Sequence, residues 1–319
     1  MRKQEKSIAN KIFIIVFCTL LSVYSLTIIA TLLWGFLSSF KNPYEFMIHN
    51  NWIGFPTLKK SDPAGSWNHF FKLLNYQVIV KDYHLVEENC KTSFIVNGET
   101  VSHYARGGFF MVIVNTLIYT VVGAILHTII PALTAYAVAK FENIVGKILT
   151  GAALFAMTTP IVGNQASMLT LLRNIGIYDT FWGYLLQKAT FTGMYFFVFT
   201  AFYQSLPDSF VEAAEIDGAS YFNILVSIIL PLSVKMLSTV FLIQFIHFWN
   251  DYQTAYMYMP SHPTLAYAVW FLTTNNQVGG GEMVVRVAAS MTLALPILVA
   301  FIFLKDKLMG NITMGGLKQ

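Results

Sequence analysis

Charged residues are scarce in this sequence of 319 residues. Asp, Glu, Lys and Arg make up 11% of the chain and hydrophobic residues 55%, whereas a soluble domain carries about 25% charged residues. Because so little charge cannot cover a water-exposed globule, an integral membrane protein is expected. The two cysteines, Cys18 and Cys90, are too few for a disulfide framework or a cysteine metal site.

Motifs for chemistry are missing as well. No G-x-x-x-x-G-K-[ST] occurs, so the chain cannot itself be an ATPase of the phosphate-loop class. The seven histidines show no H-E-x-x-H or comparable metal spacing. No apolar segment supplies the paired carboxylates or the serine–histidine pair of a membrane-embedded enzyme. A run of Lys and Arg with interleaved aromatics, typical of nucleic-acid binding, is absent too.

Long apolar segments dominate the sequence instead. A bilayer core about 30 Å thick needs about 20 apolar residues in a helix. A retained anchor is expected for the first segment, because it is too long for the core of a signal peptide. Six segments qualify, the fourth interrupted by polar residues: Ile12–Phe36, Phe109–Val138, Ile148–Leu169, Phe181–Tyr203, Leu225–Asn250 and Val284–Leu304.

These segments predict an all-α integral membrane protein with six transmembrane helices. Lys and Arg favour the cytoplasmic side, and their distribution predicts that both chain ends lie in the cytoplasm. Residues 41–107 are then a small extracellular insertion, in which KTSFIVNGETVSHYA predicts a β-hairpin around Asn97-Gly98. The predicted organisation is residues 1–40 for the cytoplasmic N-terminus and first span, 41–107 for the insertion, 108–305 for spans two to six, and 306–319 for a cytoplasmic tail.

An acidic helix is expected in the cytoplasm between spans four and five, within residues 207–231, PDSFVEAAEIDGASYFNILVSIILP. Ser209 and Glu212 match a capping box, and Gly218 suits the end of a helix of about two turns. So short a helix is marginal alone in water. The residues leave two interpretations open, a well-capped solvated loop and a helix docked on a partner.

A longer pattern runs through the same segment. Seven positions carry E-A-A-x3-G-x9-I-x-L-P: Glu212, Ala213, Ala214, Gly218, Ile228, Leu230 and Pro231. This pattern resembles the EAA loop of binding-protein-dependent ABC importer permeases. The stretches AYAVAKFENIVGK (135–147), LRNIGIYDTFWG (172–183) and FWN (248–250) are similar to other parts of the maltose-type carbohydrate permeases in that family. The resemblance covers nearly the whole chain outside residues 41–107.

The resemblance implies the fold and the partners of an ABC importer permease. Such a subunit moves a sugar or oligosaccharide, delivered by an extracellular binding protein, across the bacterial cell membrane by alternating access. The implied partners are that binding protein, a second homologous permease and two ATPase subunits, which bind ATP and Mg. In the family, the EAA helix sits in a cleft of the ATPase, which makes Glu212, Ala213, Ala214 and Gly218 coupling residues. Leu230 and Pro231 would end the lever at the membrane surface.

Polar residues in or beside the spans are candidates for the solute path. They are Asn164 and Gln165 in the third segment, and Gln244, His247 and Asn250 near the outer end of the fifth. Polar groups facing lipid are costly and turn inward, so packing between helices is the alternative role. His127 in the second span is expected to be a hydrogen-bond partner between helices.

Three other functions stay open. They are an importer permease for a non-sugar solute, a stand-alone secondary transporter and a membrane-embedded enzyme. Secondary transporters usually show internal repeats and more spans, and no convincing repeat is found in this sequence.

Overall fold

The computed structural model describes residues 8–41, 46, 52–55, 74–81, 83–90, 92–96, 99–103, 107–140, 144–159, 163–274 and 283–312. These residues are mainly helical, so the helical part of the predicted fold class is confirmed. In chain order the described elements are α1 (Ile8–Ser38), α2 (Leu74–Lys81), α3 (Tyr83–Asn89), β1 (Thr92–Val96), β2 (Glu99–His103), α4 (Gly108–Lys140), α5 (Ile144–Thr158), α6 (Asn164–Asn174), α7 (Phe181–Lys188), α8 (Met194–Gln204), α9 (Ser209–Ile216), α10 (Tyr221–Ile224), a π-helical turn (Leu225–Ile229), α11 (Leu230–Trp249), α12 (Gln253–Tyr258), α13 (Leu265–Thr274) and α14 (Met283–Ile312).

Long apolar helices match the first, second, fifth and sixth predicted spans. Among the residues that the structure describes, four helices are long and apolar enough to cross a membrane: Asn10–Ser38, Gly108–Lys140, Tyr221–Trp249 and Met283–Ile302. No part of the most apolar window of the first is buried within the protein, and only 33% of that of the second. Such exposed apolar surface is compatible with lipid and not with water.

The third and fourth predicted spans are each described as two helices, so six single-helix spans are not confirmed. Helix α5 ends at Thr158 and α6 begins directly after Gly163, and residues 189–193 separate α7 from α8. Both breaks end on a glycine with a positive φ, 78° at Gly163 and 140° at Gly193. A right-handed helix cannot run through such backbone. Each predicted span is therefore a pair of shorter helices.

The chain divides into two compact units. One comprises Met1–Asp82 with Leu272–Ala294, and the other Tyr83–Phe271 with Leu295–Gln319. In the first unit, the indole of Trp34 donates a 2.6 Å hydrogen bond to the carbonyl of Trp52. The buried amide of Asn75 donates to the carbonyl of Ser39 at 2.7 Å. These bonds hold the loop 52–55 and α2 against the end of α1.

The second unit has its core where α4 packs against α8 and α11. Ala132 and Ala135 of α4 allow close approach of the helices, and the aromatic rings of Phe199 and Tyr203 on α8 fill the space beside them. The full buried cluster is Ala132, Ala135, Tyr136, Ala153, Phe196, Phe199, Tyr203, Ala214, Ile224, Ile229 and Val240. This cluster reaches into the short helix α9 through Ala214.

The predicted β-hairpin is confirmed within the second unit. Strands β1 and β2 are antiparallel, with Val96 opposite Glu99; the predicted turn residues between them lie outside the described part of the chain. His103 at the end of β2 contacts the buried Asp179 carboxylate, with 2.9 Å between Nδ1 and Oδ2. Asp179 also accepts a 3.0 Å hydrogen bond from the backbone N–H of Ser261. The hairpin is thus attached to the segments that follow α6 and α12.

Candidate functional site

Helix α9 forms where the acidic helix is predicted, but it begins differently. Its N-cap is Asp208, whose backbone is helical and whose side chain caps no N–H of the helix. The predicted capping box of Ser209 and Glu212 is therefore wrong, because Ser209 already lies inside the helix. An N-cap side chain reaches the second or third N–H from extended backbone, and Asp208 instead directs its carboxylate to Lys140 at 2.6 Å.

The end of α9 is built as predicted. Gly218 has a left-handed φ of 77°. Its N–H donates to the carbonyl of Glu215 at 3.0 Å, and the N–H of Ala219 donates to the carbonyl of Ala214 at 2.9 Å. These two bonds make a Schellman motif, which satisfies carbonyls that the helix end leaves unpaired. Glycine at this position is required by the backbone conformation.

The two alanines of α9 differ in burial. Ala214 is 8% exposed and belongs to the buried cluster with α4 and α8. Glu212 and Ala213 are exposed, and the Glu212 side chain makes no hydrogen bond to another described residue. The sequence pattern assigns both alanines to close approach of a partner, whereas the geometry leaves only Ala213 on the outer face.

Exposed apolar side chains surround this outer face, and sequence analysis missed them. The most exposed are Ile216 at 87% and Phe222 at 71%, with Tyr221 and Phe210 also exposed. A concentration of apolar side chains next to polar residues on a surface marks a site of protein interaction. The signal that could have found it is the alternation of acidic and apolar residues in the helix and in the residues just after it.

Leu230 and Pro231 lie within a helical segment, and their predicted place at the membrane surface, where the lever ends, stays a prediction. The helical segment runs from Tyr221 to Trp249. Proline has no N–H to donate to the preceding turn, and the π-helical turn just before it widens the backbone, with the N–H of Leu230 donating to the carbonyl of Leu225. Such a π-bulge absorbs the proline without stopping the helix.

The five residues predicted for the solute path fall into two groups. Asn164 and Gln165 begin α6 and are exposed. Gln244 is 6% exposed within α11, whereas His247 and Asn250 at the end of that helix are exposed. No hydrogen bond between described residues joins the two groups. That all five line one path stays a prediction.

A buried ion pair near the end of α11 was not singled out from the sequence. Lys188 of α7 lies 3.6 Å from the Asp251 carboxylate, and both side chains are about nine-tenths buried, at 14% and 13% exposure. The Tyr119 hydroxyl and the Thr254 hydroxyl each donate to the same carboxylate oxygen at 2.6 Å. Charged residues inside apolar segments are the sequence signal for such a site.

The surroundings of Asp251 favour its charged form. Burial on its own raises the pKa of the carboxyl, but Lys188 and the hydrogen bonds from Thr254 and Tyr119 outweigh burial, so the pKa lies below its ordinary value. The carboxylate is therefore ionised at neutral pH and stays paired with the lysine. This network joins α4, α7 and the segment between α11 and α12.

His127 occupies the same region without the predicted hydrogen bond. Its Nε2 is buried and has no hydrogen-bond partner among the residues that the structure describes. Its ring meets that of Phe248 edge-on, with 5.0 Å between centroids, and Phe248 also lies 5.0 Å below the ammonium of Lys188. The prediction of a helix–helix hydrogen bond is wrong; the contact is aromatic.

Comparisons with known proteins identify a family and similar transport proteins. Residues 128–306 match the family of binding-protein-dependent transport system inner membrane components. The chain is 26% identical over 216 residues to the trehalose transport system permease protein SugB of Mycobacterium tuberculosis, covering 67% of this chain and 79% of that one. It is 24% identical over 261 residues to the polygalacturonan/rhamnogalacturonan transport system permease protein YtcP of Bacillus subtilis, covering 76% and 90%.

The fold also has a solved counterpart. The crystal structure of a bacterial ABC transporter involved in the import of the acidic polysaccharide alginate contains a similar chain, with a TM-score of 0.68 and 19% identity. The similarity covers 94% of this chain and 98% of that one. The likeness therefore extends over nearly the whole fold.

Proposed function

This chain belongs to the family of binding-protein-dependent transport system inner membrane components, and from that premise we propose that it imports a sugar or oligosaccharide. It is the permease subunit of an ATP-driven ABC importer. The trehalose and polygalacturonan permeases to which it is similar support a carbohydrate as the solute. Fold alone does not determine the solute, so the carbohydrate class rests on these relatives.

The observation that carries the proposal is the outer face of α9. Glu212 and Ala213 are exposed there beside Ile216 and Phe222, while Ala214 attaches the helix to the protein. A helix of eight residues is marginal in water unless it packs on something. One face packs on this chain, and the other offers a carboxylate, a small side chain and apolar rings to a partner. An ATPase subunit with a basic residue in an apolar cleft fits that surface.

The coupling residues have separate roles in this mechanism. Glu212 pairs with a basic residue of the ATPase, and Ala213 lets the two backbones approach. Gly218 closes the helix so that it moves as a unit. Leu230 and Pro231 lie in the helix that continues from the coupling segment into the membrane, and they mark the end of the lever at the membrane surface. ATP-driven closure of two ATPase subunits then opens the outer side of the path, and hydrolysis lets it close.

The proposed subunit crosses the bacterial inner membrane six times with both ends in the cytoplasm. The helix pairs α5–α6 and α7–α8 supply the third and fourth crossings. Residues 41–107, which include the hairpin attached to Asp179, then lie outside. There they contact the extracellular binding protein or the second permease subunit.

The solute path runs beside α11 in this proposal. Gln244 is a buried polar residue of that helix, and His247 and Asn250 continue towards its outer end. Asn164 and Gln165 lie at the break between α5 and α6 and face the path from a second side. ATP and Mg are bound by the ATPase subunits, and this chain contributes no cofactor site.

The test uses the complex with its ATPase, its second permease and its binding protein. Glu212→Lys and Ala213→Trp should prevent the ATPase from purifying with the membrane subunits, and binding-protein-stimulated ATP hydrolysis should disappear. Lys147→Glu, a charge reversal at an exposed position of α5, is the control. Retention of the ATPase by both α9 variants would show that this face is not the docking site, and the proposal would lose its mechanism.

A further inference from the structure

The last residue of α4 makes a contact that the proposed function does not use. Lys140 is only 10% exposed at its side chain, although it ends a helix. Its Nζ lies 2.6 Å from the carboxylate Oδ1 of Asp208 and 3.2 Å from the carbonyl oxygen of Leu206. Both bonds cross to the segment that enters α9. A lysine this enclosed keeps one position, whereas a solvated lysine would sample many.

These two bonds bring three helix ends together. Leu206 follows the end of α8, where carbonyls lack partners within the helix and attract a cation. Asp208 is the N-cap residue of α9. Pro207 between them has no N–H and a restricted φ, so the short connection is stiff. Lys140 therefore links the end of α4 to the end of α8 and the start of α9.

The ion pair has little to do with folding stability. The Asp208 side chain is 75% exposed, and pairs with an exposed partner are screened by solvent and contribute little. The packing of Ala214 and Val211 on the buried cluster already attaches α9 to the protein. Apolar contact is non-directional, however, and by itself leaves the start of α9 able to swing about that attachment. A directional bond at the start removes this freedom.

We propose that Lys140 is a positioning residue that makes α9 move together with α4 and α8 when the ATPase moves it. The proposal rests on the proposed function, because it needs α9 to be the helix that the ATPase grips. Without Lys140, the ATPase would still bind the exposed face of α9 and hydrolyse ATP. Part of the motion would then be absorbed by rotation of α9 and would not reach the membrane helices.

The experiment measures whether α9 and α4 move as one body. Spin labels at Asp217, beside the end of α9, and at the exposed Ile118 of α4 report the distance between the two helices. Ile118 lies 22 residues before Lys140, about 33 Å along a helix, which suits pulsed electron resonance. Distances are compared between the nucleotide-free complex and the complex trapped with ATP and vanadate, with Cys18 replaced by serine.

In the wild-type complex the distance distribution should be the same in both nucleotide states. Lys140→Met should shift and broaden it in the trapped state while ATP hydrolysis continues. Asp208→Asn, an exposed change that leaves the fold intact, should give a smaller shift, because Lys140 keeps its bond to Leu206. Lys140→Arg should behave like wild type, since arginine can make both bonds. Lys147→Met, at an exposed lysine of α5, is the control.

Two results would overturn the positioning role of Lys140, and one would overturn the proposed function on which it rests. If Lys140→Met shows the wild-type distances in both states, Lys140 does not hold α9. If the wild-type distance itself changes on trapping, α9 moves independently of α4 and Lys140 does not couple the two helices. If the ATPase binds neither the wild-type chain nor any variant, the proposed function fails and the positioning role of Lys140 fails with it. That last result is recognised by its equal effect on all variants.

Discussion

Replacing Gly218 by alanine changes one physical quantity at the end of α9, the free energy of a left-handed backbone. The φ of Gly218 is 77°, and a Cβ built there meets no atom within 4 Å. Any effect of Gly218→Ala is therefore conformational and not steric. For a residue with a side chain, left-handed backbone costs about 1–2 kcal/mol, which is a factor of about 5–30 in an equilibrium.

That cost should appear in the affinity for the ATPase. The Schellman motif holds the last turn of an eight-residue helix, and opening it frees the carbonyls of Ala214 and Glu215. The apparent Kd rises as the competent population falls. Gly218→Ala should therefore weaken binding of the purified ATPase subunit to the permease pair in nanodiscs by about 5- to 30-fold. Surface plasmon resonance measures this change directly.

A graded series makes the reasoning refutable. Gly218→Asn should weaken binding less than alanine, because asparagine tolerates left-handed backbone. Gly218→Val should weaken it more, because a β-branched residue is an outlier there. Equal affinities for all three variants and wild type would mean that the ATPase does not need a closed α9, and the coupling role of Gly218 would be refuted.

Three further predictions concern stability of the purified chain. Asp251→Asn should destabilise it by about 3–5 kcal/mol, because the buried Lys188 charge loses its partner. With a folded pKa below its ordinary 3.8, Asp251 contributes stability that is present above that value and lost only as pH falls below it. The difference in stability between wild type and Asp251→Asn should therefore be constant from roughly pH 5 to 8. Gly183→Ala should lower the free energy of unfolding by about 1–3 kcal/mol, since a Cβ there overlaps the backbone carbonyl of Ile177. Ala214→Leu should also lower the free energy of unfolding by about 1–3 kcal/mol, through overpacking. Unfolding of all these variants is measured in one detergent.

Matched variants decide whether these reasons are right. The double change Lys188→Met with Asp251→Leu removes both charges and should cost much less than Asp251→Asn alone. Gly151→Ala, where a new Cβ meets nothing, should leave stability unchanged or raise it by up to about 1 kcal/mol. Ala213→Leu, on the exposed face of α9, should not lower stability. Equal losses in a variant and its control would contradict the stated cause.

The parts of the fold that sequence predicted are those that local patterns determine. The long apolar run of Gly108–Lys140 is recognisable from length alone. The hairpin follows from alternation around a two-residue turn, and Gly218 from the backbone that a helix end requires. Each of these depends on a few consecutive residues, and each is where the prediction places it.

The parts that were wrong depend on residues far apart in the chain. The capping box of Ser209 fails because Asp208 is the N-cap and Ser209 already lies inside the helix. The Asp208 carboxylate bonds to Lys140, which lies 68 residues away in the chain. The different burial of Ala213 and Ala214 follows from the packing of α9 on α4 and α8. A pattern of spacing cannot distinguish two adjacent alanines, because only the tertiary contact selects which one is buried.

The two ends of α9 are therefore held by different interactions, and salt should weaken the interaction at the start of the helix but not the one at its end. At about 1 M salt the screening length is about 3 Å, so the exposed Lys140–Asp208 pair loosens, whereas the backbone bonds of the Schellman motif do not. Hydrogen exchange of the permease pair in nanodiscs should then quicken at the amide of Glu212 and stay constant at that of Ala219. Gly218→Ala should do the reverse at low salt. Since both amides belong to one helix of eight residues, parallel changes at its two ends would mean that α9 opens as a single unit, and independent fixing of its ends would be excluded.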